Sequence, residues 1–139
     1  MYPYVAVLTE ILHKQGISCD APHGASIAFK IAYSGHNLWT VLFTGKRGFD
    51  CYIIHPFCFK ANDGKLIIPY LEILNSNLKV GEIDYSKDIN MLSYMGNFTI
   101  PETDDISADL ESICDYFLNE IPLYMSEIVQ QYEPRMPKR

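Results

Sequence analysis

Among the cysteines there is no C-x-x-C pair, the apolar runs all fall short of the roughly 20 residues of a membrane-spanning helix, and the stretch from Asp88 to Pro134 has no Lys, Arg or His. Each absence removes a class of function. Cys19, Cys51, Cys58 and Cys114 lack the paired spacing of a structural zinc site. The start of the chain lacks the basic residues and cleavage site of an export signal, so the thiols read as reduced and the protein as cytosolic. Between Asp88 and Pro134 acids recur from Glu102 to Glu133 without a balancing cation. Such a span repels phosphate and argues against nucleic acid as a partner. It suits solubility or, in an immunity or inhibitor protein, the masking of a basic partner. No Glu-x-x-His motif supports a di-metal centre, and Asp105, Asp109 and Glu111 read as a solvated helix face. The stretch "TGKRG" around Gly45 and Gly48 lacks the full phosphate-loop pattern and a following helix, so it reads as a hairpin turn.

What remains is a chain of 139 residues with net charge −6 and 48% hydrophobic content, suited to one domain with a core of its own. Aromatic residues reach 13%, mostly through ten tyrosines. Tyr33, Trp39, Tyr52, Tyr70, Tyr85, Tyr94, Tyr116, Tyr124 and Tyr132 are too many for so small an interior. Tyrosine and tryptophan combine an apolar body with a polar tip and are enriched at interfaces.

Periodicity orders the chain. Tyr4, Val5, Leu8, Ile11 and Leu12 form one helical stripe between Pro3 and Gly16. "SIAFKIAY" alternates as a half-buried strand, "LWTVLFTG" and "CYIIHPFCF" follow as two more, and the short turns between them favour an antiparallel meander. Pro56 marks an edge or a bulge. Leu66, Ile67, Tyr70, Leu71, Ile73 and Leu74 predict a second helix with Pro69 in its first turn. Its end is expected at Asn75 to Asn77, where asparagine accepts the left-handed conformation. "KVGEIDY" and "INMLSYMGNFTI" predict another hairpin. Thr103 to Gln131 predicts one long helix capped by Thr103, with Asp104 and Asp105 at its positive end and a kink at Pro122. The order α-β-β-β-α-β-β-α predicts an α+β fold, an antiparallel sheet with helices packed on it, the sheet lying between helices.

The phrases Leu74-Asn75, Gly81-Glu82-Ile83-Asp84 and Asp88-Ile89 stand in that order around the second hairpin. Together with the element order they make nearly the whole of residues 1–139 resemble a single domain of the YbjN-domain family and the wider type III secretion chaperone-like fold. The resemblance implies a small, often homodimeric, non-catalytic module that holds a protein segment, as a chaperone, adaptor or regulator.

The most reactive-looking cluster is "CYIIHPFC", with Cys51, His55 and Cys58. A thiol beside an imidazole could serve a thiol-dependent enzyme using Cys51 or Cys58. Along a straight strand, however, positions four apart lie about 13 Å from each other. Zinc binding has no second half of the site beyond Cys19 and His23. Packing roles are therefore expected for these residues, with no catalytic residue, metal or cofactor assigned.

Overall fold

The computed structural model describes residues 2–19, 25–102 and 104–133. The elements are α1 (Pro3–Lys14), β1 (Ser26–Tyr33), β2 (His36–Thr44), β3 (Gly48–Ile54), α2 (Gly64–Asn75), β4 (Glu82–Ser86), β5 (Met91–Thr99), α3 (Ile106–Asp115), a π-helical turn (Tyr116–Glu120) and α4 (Ile121–Tyr132). The protein is α+β in the order expected. All strand pairs are antiparallel, and the sheet runs β1-β2-β3-β5-β4. The β1–β2 hairpin closes on Tyr33 and His36 through Ser34 and Gly35, both at positive φ (46° and 81°). A two-residue turn of that kind matches the right-handed twist of the flanking strands.

Side-chain alternation gives the sheet one buried face. Ile27, Phe29, Ile31, Leu38, Leu42, Phe49, Cys51, Ile53, Ile83, Leu92, Tyr94 and Phe98 lie on it. The predicted α1 stripe is buried in full. The Tyr4 hydroxyl sits 2.7 Å and 2.8 Å from the carbonyls of Gly45 and Gly48, which ties α1 to the β2–β3 turn. Phe49, Phe98 and Phe117 form a ring cluster with centroids 5.4 to 6.0 Å apart, joining β3 and β5 to the π-helical turn. Aromatic pairs at such spacing add about 0.5–1.5 kcal/mol beyond area burial.

Four details depart from the sequence reading. First, β3 stops at Ile54 rather than continuing to Phe59. The His55 N–H still reaches the Leu92 carbonyl at 3.0 Å, but Pro56 has no N–H to extend the ladder. Second, Pro69 stands inside α2, past its first turn, and the helix tolerates the lost bond to the Lys65 carbonyl. Third, the asparagines after α2 are not left-handed; Gly81 takes that conformation, at φ +77°. Asn75 instead clamps the outer edge of β4: its Oδ1 accepts from the Ile83 N–H at 2.7 Å, and its Nδ2 donates to the Ile83 carbonyl at 2.9 Å. An edge strand's free backbone groups are satisfied there by one side chain. Fourth, Pro122 is accommodated by widening the turn before it. The Ile121 N–H reaches back five residues to the Tyr116 carbonyl, and the apolar phase continues into α4. The cap of α3 is Asp105, whose Oδ1 accepts from the Ala108 N–H at 3.1 Å. The proposed cap Thr103 lies outside the described residues.

The described helices pack on the buried face of the sheet. The opposite face, expected to lie under further helices, is open among the described residues. No helix is long and apolar enough to cross a membrane among the described residues.

Candidate functional site

Cys51 and His55 share the covered face of β3 and its extension, yet the fold does not bring them together. Cys51 is fully buried, and burial pushes its thiol well above the ordinary range, with Cys114 nearby adding to the effect. Burial likewise pushes Cys114 up to about 12, helped by Glu111. His55 is also buried. Its Nδ1 accepts from the Phe57 N–H at 3.1 Å, which places the ring proton on Nε2. That Nε2 has no hydrogen-bond partner among the described residues, so no described thiol engages it. Cys58 is exposed, with its Sγ 3.7 Å and 3.6 Å from the carbonyls of Phe59 and Ile89. Cys51 is thus enclosed in the core, while His55 and Cys58 are each engaged with backbone groups.

His55 does meet a residue the sequence reading left out. The rings of His36 and His55 lie 4.7 Å apart, and His36 Nε2 is 2.9 Å from Glu133 Oε1. Burial chiefly, and then the neighbouring His36, pull His55 down to about 4 against the opposing pull of Glu133. His55 is therefore neutral near pH 7, and the His36–Glu133 contact joins the first hairpin to the end of α4. A second contact outside the sequence reading is His13 Nε2 to Cys19 Sγ, at 3.6 Å. Gly16, at φ +80°, turns the chain back toward the helix end. His23, the candidate partner of Cys19, lies outside the described residues. Among the described residues no three His, Cys, Asp or Glu side chains are grouped so as to hold a metal ion.

The larger feature is the open face of the sheet. Strand register lines its side chains up in rows. One row reads Lys30, Trp39, Ile54, Ser93, Asp84 from β1 across to β4. The next reads Ala28, Val41, Tyr52, Met95, Glu82. Trp39 is 54% exposed, Phe43 49%, Met95 48%, Ile54 41% and Tyr52 38%. These five large apolar residues would normally be buried, and adjacency on one surface distinguishes them from scattered exposed residues. The Phe43 and Tyr52 rings meet edge to face at 5.6 Å, and Lys30 Nζ rests 4.4 Å from the Trp39 ring centroid. Polar residues rim the patch: Lys30 at the β1 edge, Glu82 and Asp84 on β4, Asp50 and Asn97 at one end.

Two further surfaces carry exposed apolar residues. A groove of about 690 Å³ follows the β1 edge, lined among others by Ile17, Phe29, Tyr33, Trp39 and Leu118. On α2, Leu66, Tyr70 and Ile73 stand exposed at helical spacing, while Ile67 and Leu71 face the core. Both apolar phases of α2 follow helical spacing in the sequence, so periodicity alone does not separate the buried one from the exposed one. In comparisons with known proteins, the chain matches no family model and no curated protein.

Proposed function

We propose that this chain is a non-catalytic protein-binding module of the YbjN and secretion-chaperone type, acting in the cytosol as a homodimer. The observation that carries the reading is the apolar open face of the sheet, with Trp39, Phe43, Tyr52, Ile54 and Met95 together in water. A contiguous apolar surface with a polar rim marks an interaction site in a folded protein. The exposed α2 stripe of Leu66, Tyr70 and Ile73 supplies a second surface of the kind an apolar segment docks on. The element order supports the chaperone-type likeness. The separation of Cys51, His55 and Cys58 gives no support to thiol chemistry.

Light scattering after size exclusion, combined with affinity capture and mass spectrometry, tests the reading. The expected result is a dimer that retains a defined protein, with that protein lost when Ile73→Asp charges the α2 stripe. A monomer that retains no protein overturns it. Alkylation by iodoacetamide at neutral pH separates it from a thiol enzyme. Cys51 is expected to stay unmodified in the native protein, and Cys58→Ser is expected to leave partner capture intact.

A further inference from the structure

We infer that two copies of this chain pack open sheet face against open sheet face, about a two-fold axis parallel to β3. The inference rests on the homodimeric reading above and assigns it a surface and a geometry. Trp39, Val41, Phe43, Tyr52, Ile54 and Met95 form the apolar centre of that face. Homodimer interfaces are apolar at the centre and polar at the rim.

Two of the rim charges, Lys30 and Asp84, are placed for self-pairing. β3 is the middle strand of five, with β1 at one edge and β4 at the other. A two-fold axis along β3, in the plane between the sheets, therefore carries β1 of one copy over β4 of the other. Lys30 and Asp84 lie in the same cross-strand row. The rotation sets Lys30 against Asp84 of the partner subunit, in two symmetric pairs. It places Ile54 and, at the end of the strand, Asp50 near their own counterparts at the axis, the Asp50 carboxylate held by Asn97 Nδ2 at 2.7 Å. In the neighbouring row it sets Val41 over Met95 of the partner subunit. An in-plane axis perpendicular to the strands would do the opposite. It would lay β1 over β1 and β4 over β4, so Lys30 would face a strand that carries no carboxylate while Glu82 and Asp84 would face the acids of the other β4. An unpaired Lys30 and the gathering of acids over β4 disfavour that orientation. Charge thus selects one of the two ways of stacking the same apolar face, and the strands then run nearly aligned, as in packed sheets.

Size is compatible with this geometry. Five strands spaced about 4.8 Å apart, over about six residues at roughly 3.4 Å each, give a flat footprint of roughly 500 Å². Side-chain relief raises the accessible area above that footprint, toward the ~800 Å² per partner of a standard interface. Lys30 now rests on the Trp39 ring, and its flexible stem lets the ammonium group swing outward to a facing carboxylate.

The sequence supplies its own probe, because Trp39 is the single tryptophan. Sedimentation velocity and tryptophan emission are measured over a dilution series of about a hundredfold. A dimer is expected at the top of the series, with emission moving to longer wavelength on dilution as Trp39 returns to water. Ile54→Lys, at the axis, is expected to weaken dimerisation by at least about a hundredfold while far-ultraviolet circular dichroism stays unchanged. Lys30→Glu and Asp84→Lys are each expected to weaken it about tenfold, and the double variant to recover most of the loss. Both are exposed positions, so this arm stands if Ile54→Lys fails to fold. A dimer unaffected by Ile54→Lys and by both charge reversals overturns the face-to-face assignment and leaves the homodimer itself standing. A wild-type chain that stays monomeric, including one that gains mass only by binding a different protein, overturns both.

Discussion

The two faces of the sheet are built from the same strands and nearly the same residue types, and they live in different solvents. Phe49 on the covered face is 2% exposed, whereas Phe43 on the open face is 49% exposed. Ile53 and Ile54 are chain neighbours with the same contrast, 0% against 41%. Helices α1, α3 and α4 turn one face into a core and leave the other as a surface. Stability is therefore concentrated on one side of a layer one residue thick, and recognition on the other. Substitutions that are chemically alike separate the two.

Phe49→Ala carries the largest expected effect. It removes one ring of the Phe49–Phe98–Phe117 cluster and its contact with Tyr4. The lost burial and the cavity left behind are worth about 3–5 kcal/mol, read from the urea midpoint with an unchanged slope. A loss below about 1 kcal/mol would mean that the covered face is not the core.

His55 sits where the covered face ends, and it makes that face sensitive to acid. Burial and His36 hold it at about 4, below its ordinary 6.5. Between those two values the unfolded chain binds the proton and the folded chain does not, so stability rises with pH across the window. It is at its full value above about pH 6.5 and falls as pH drops toward 4, by on the order of 3 kcal/mol in all. In His55→Leu that part of the slope is expected to vanish, because the buried group no longer titrates. Chemical denaturation at a series of pH values reads it directly. An unchanged slope in the variant would mean that His55 is not the source of the acid sensitivity.

The third contrast is between the two edges of the sheet. β4 has its outer backbone groups at Ile83 clamped by Asn75, whereas the β1 edge borders an open groove. Asn75→Ala leaves the Ile83 N–H and carbonyl to water and is expected to cost about 1–2 kcal/mol. Amide hydrogen exchange should quicken at Ile83 before it quickens in β3. Equal protection in the variant would mean that the clamp is incidental to the edge.

These contrasts mark what was legible in the sequence. The α1 stripe at Tyr4, Val5, Leu8, Ile11 and Leu12 could be read because an amphipathic helix has one apolar face to choose. β1 could be read for the same reason, with Ile27, Phe29 and Ile31 set against Ala28, Lys30 and Ala32. In β2 the two phases are Leu38, Thr40, Leu42 and Trp39, Val41, Phe43. Hydrophobicity alone favours burying the second phase, yet the helices cover the first. Which face they cover depends on how the connections place them, a non-local fact that no strand encodes. Two apolar phases read naturally as a strand covered on both sides. Neither that pattern nor the element order distinguishes a sheet between helices from one with an open face. The His36–Glu133 contact spans 97 positions, so it too had no local signature. The separation of Cys51 from His55 was legible, because strand geometry alone sets positions four apart beyond contact.

Phe43→Ala carries the smallest expected effect on stability, and it is the sharpest test of the comparison. It removes the same side chain as Phe49→Ala, from the other side of the same sheet. Phe43 packs edge to face with Tyr52 and is otherwise half in water, so the loss is one aromatic contact without a buried cavity. The expected cost is about 0.5–1 kcal/mol, measured at a dilution where copies do not associate. At higher concentration the same substitution should weaken self-association, because Phe43 belongs to the apolar centre of the open face. A stability loss matching that of Phe49→Ala would mean that the open face is already covered within a single chain. The division between a face for folding and a face for recognition would then fail.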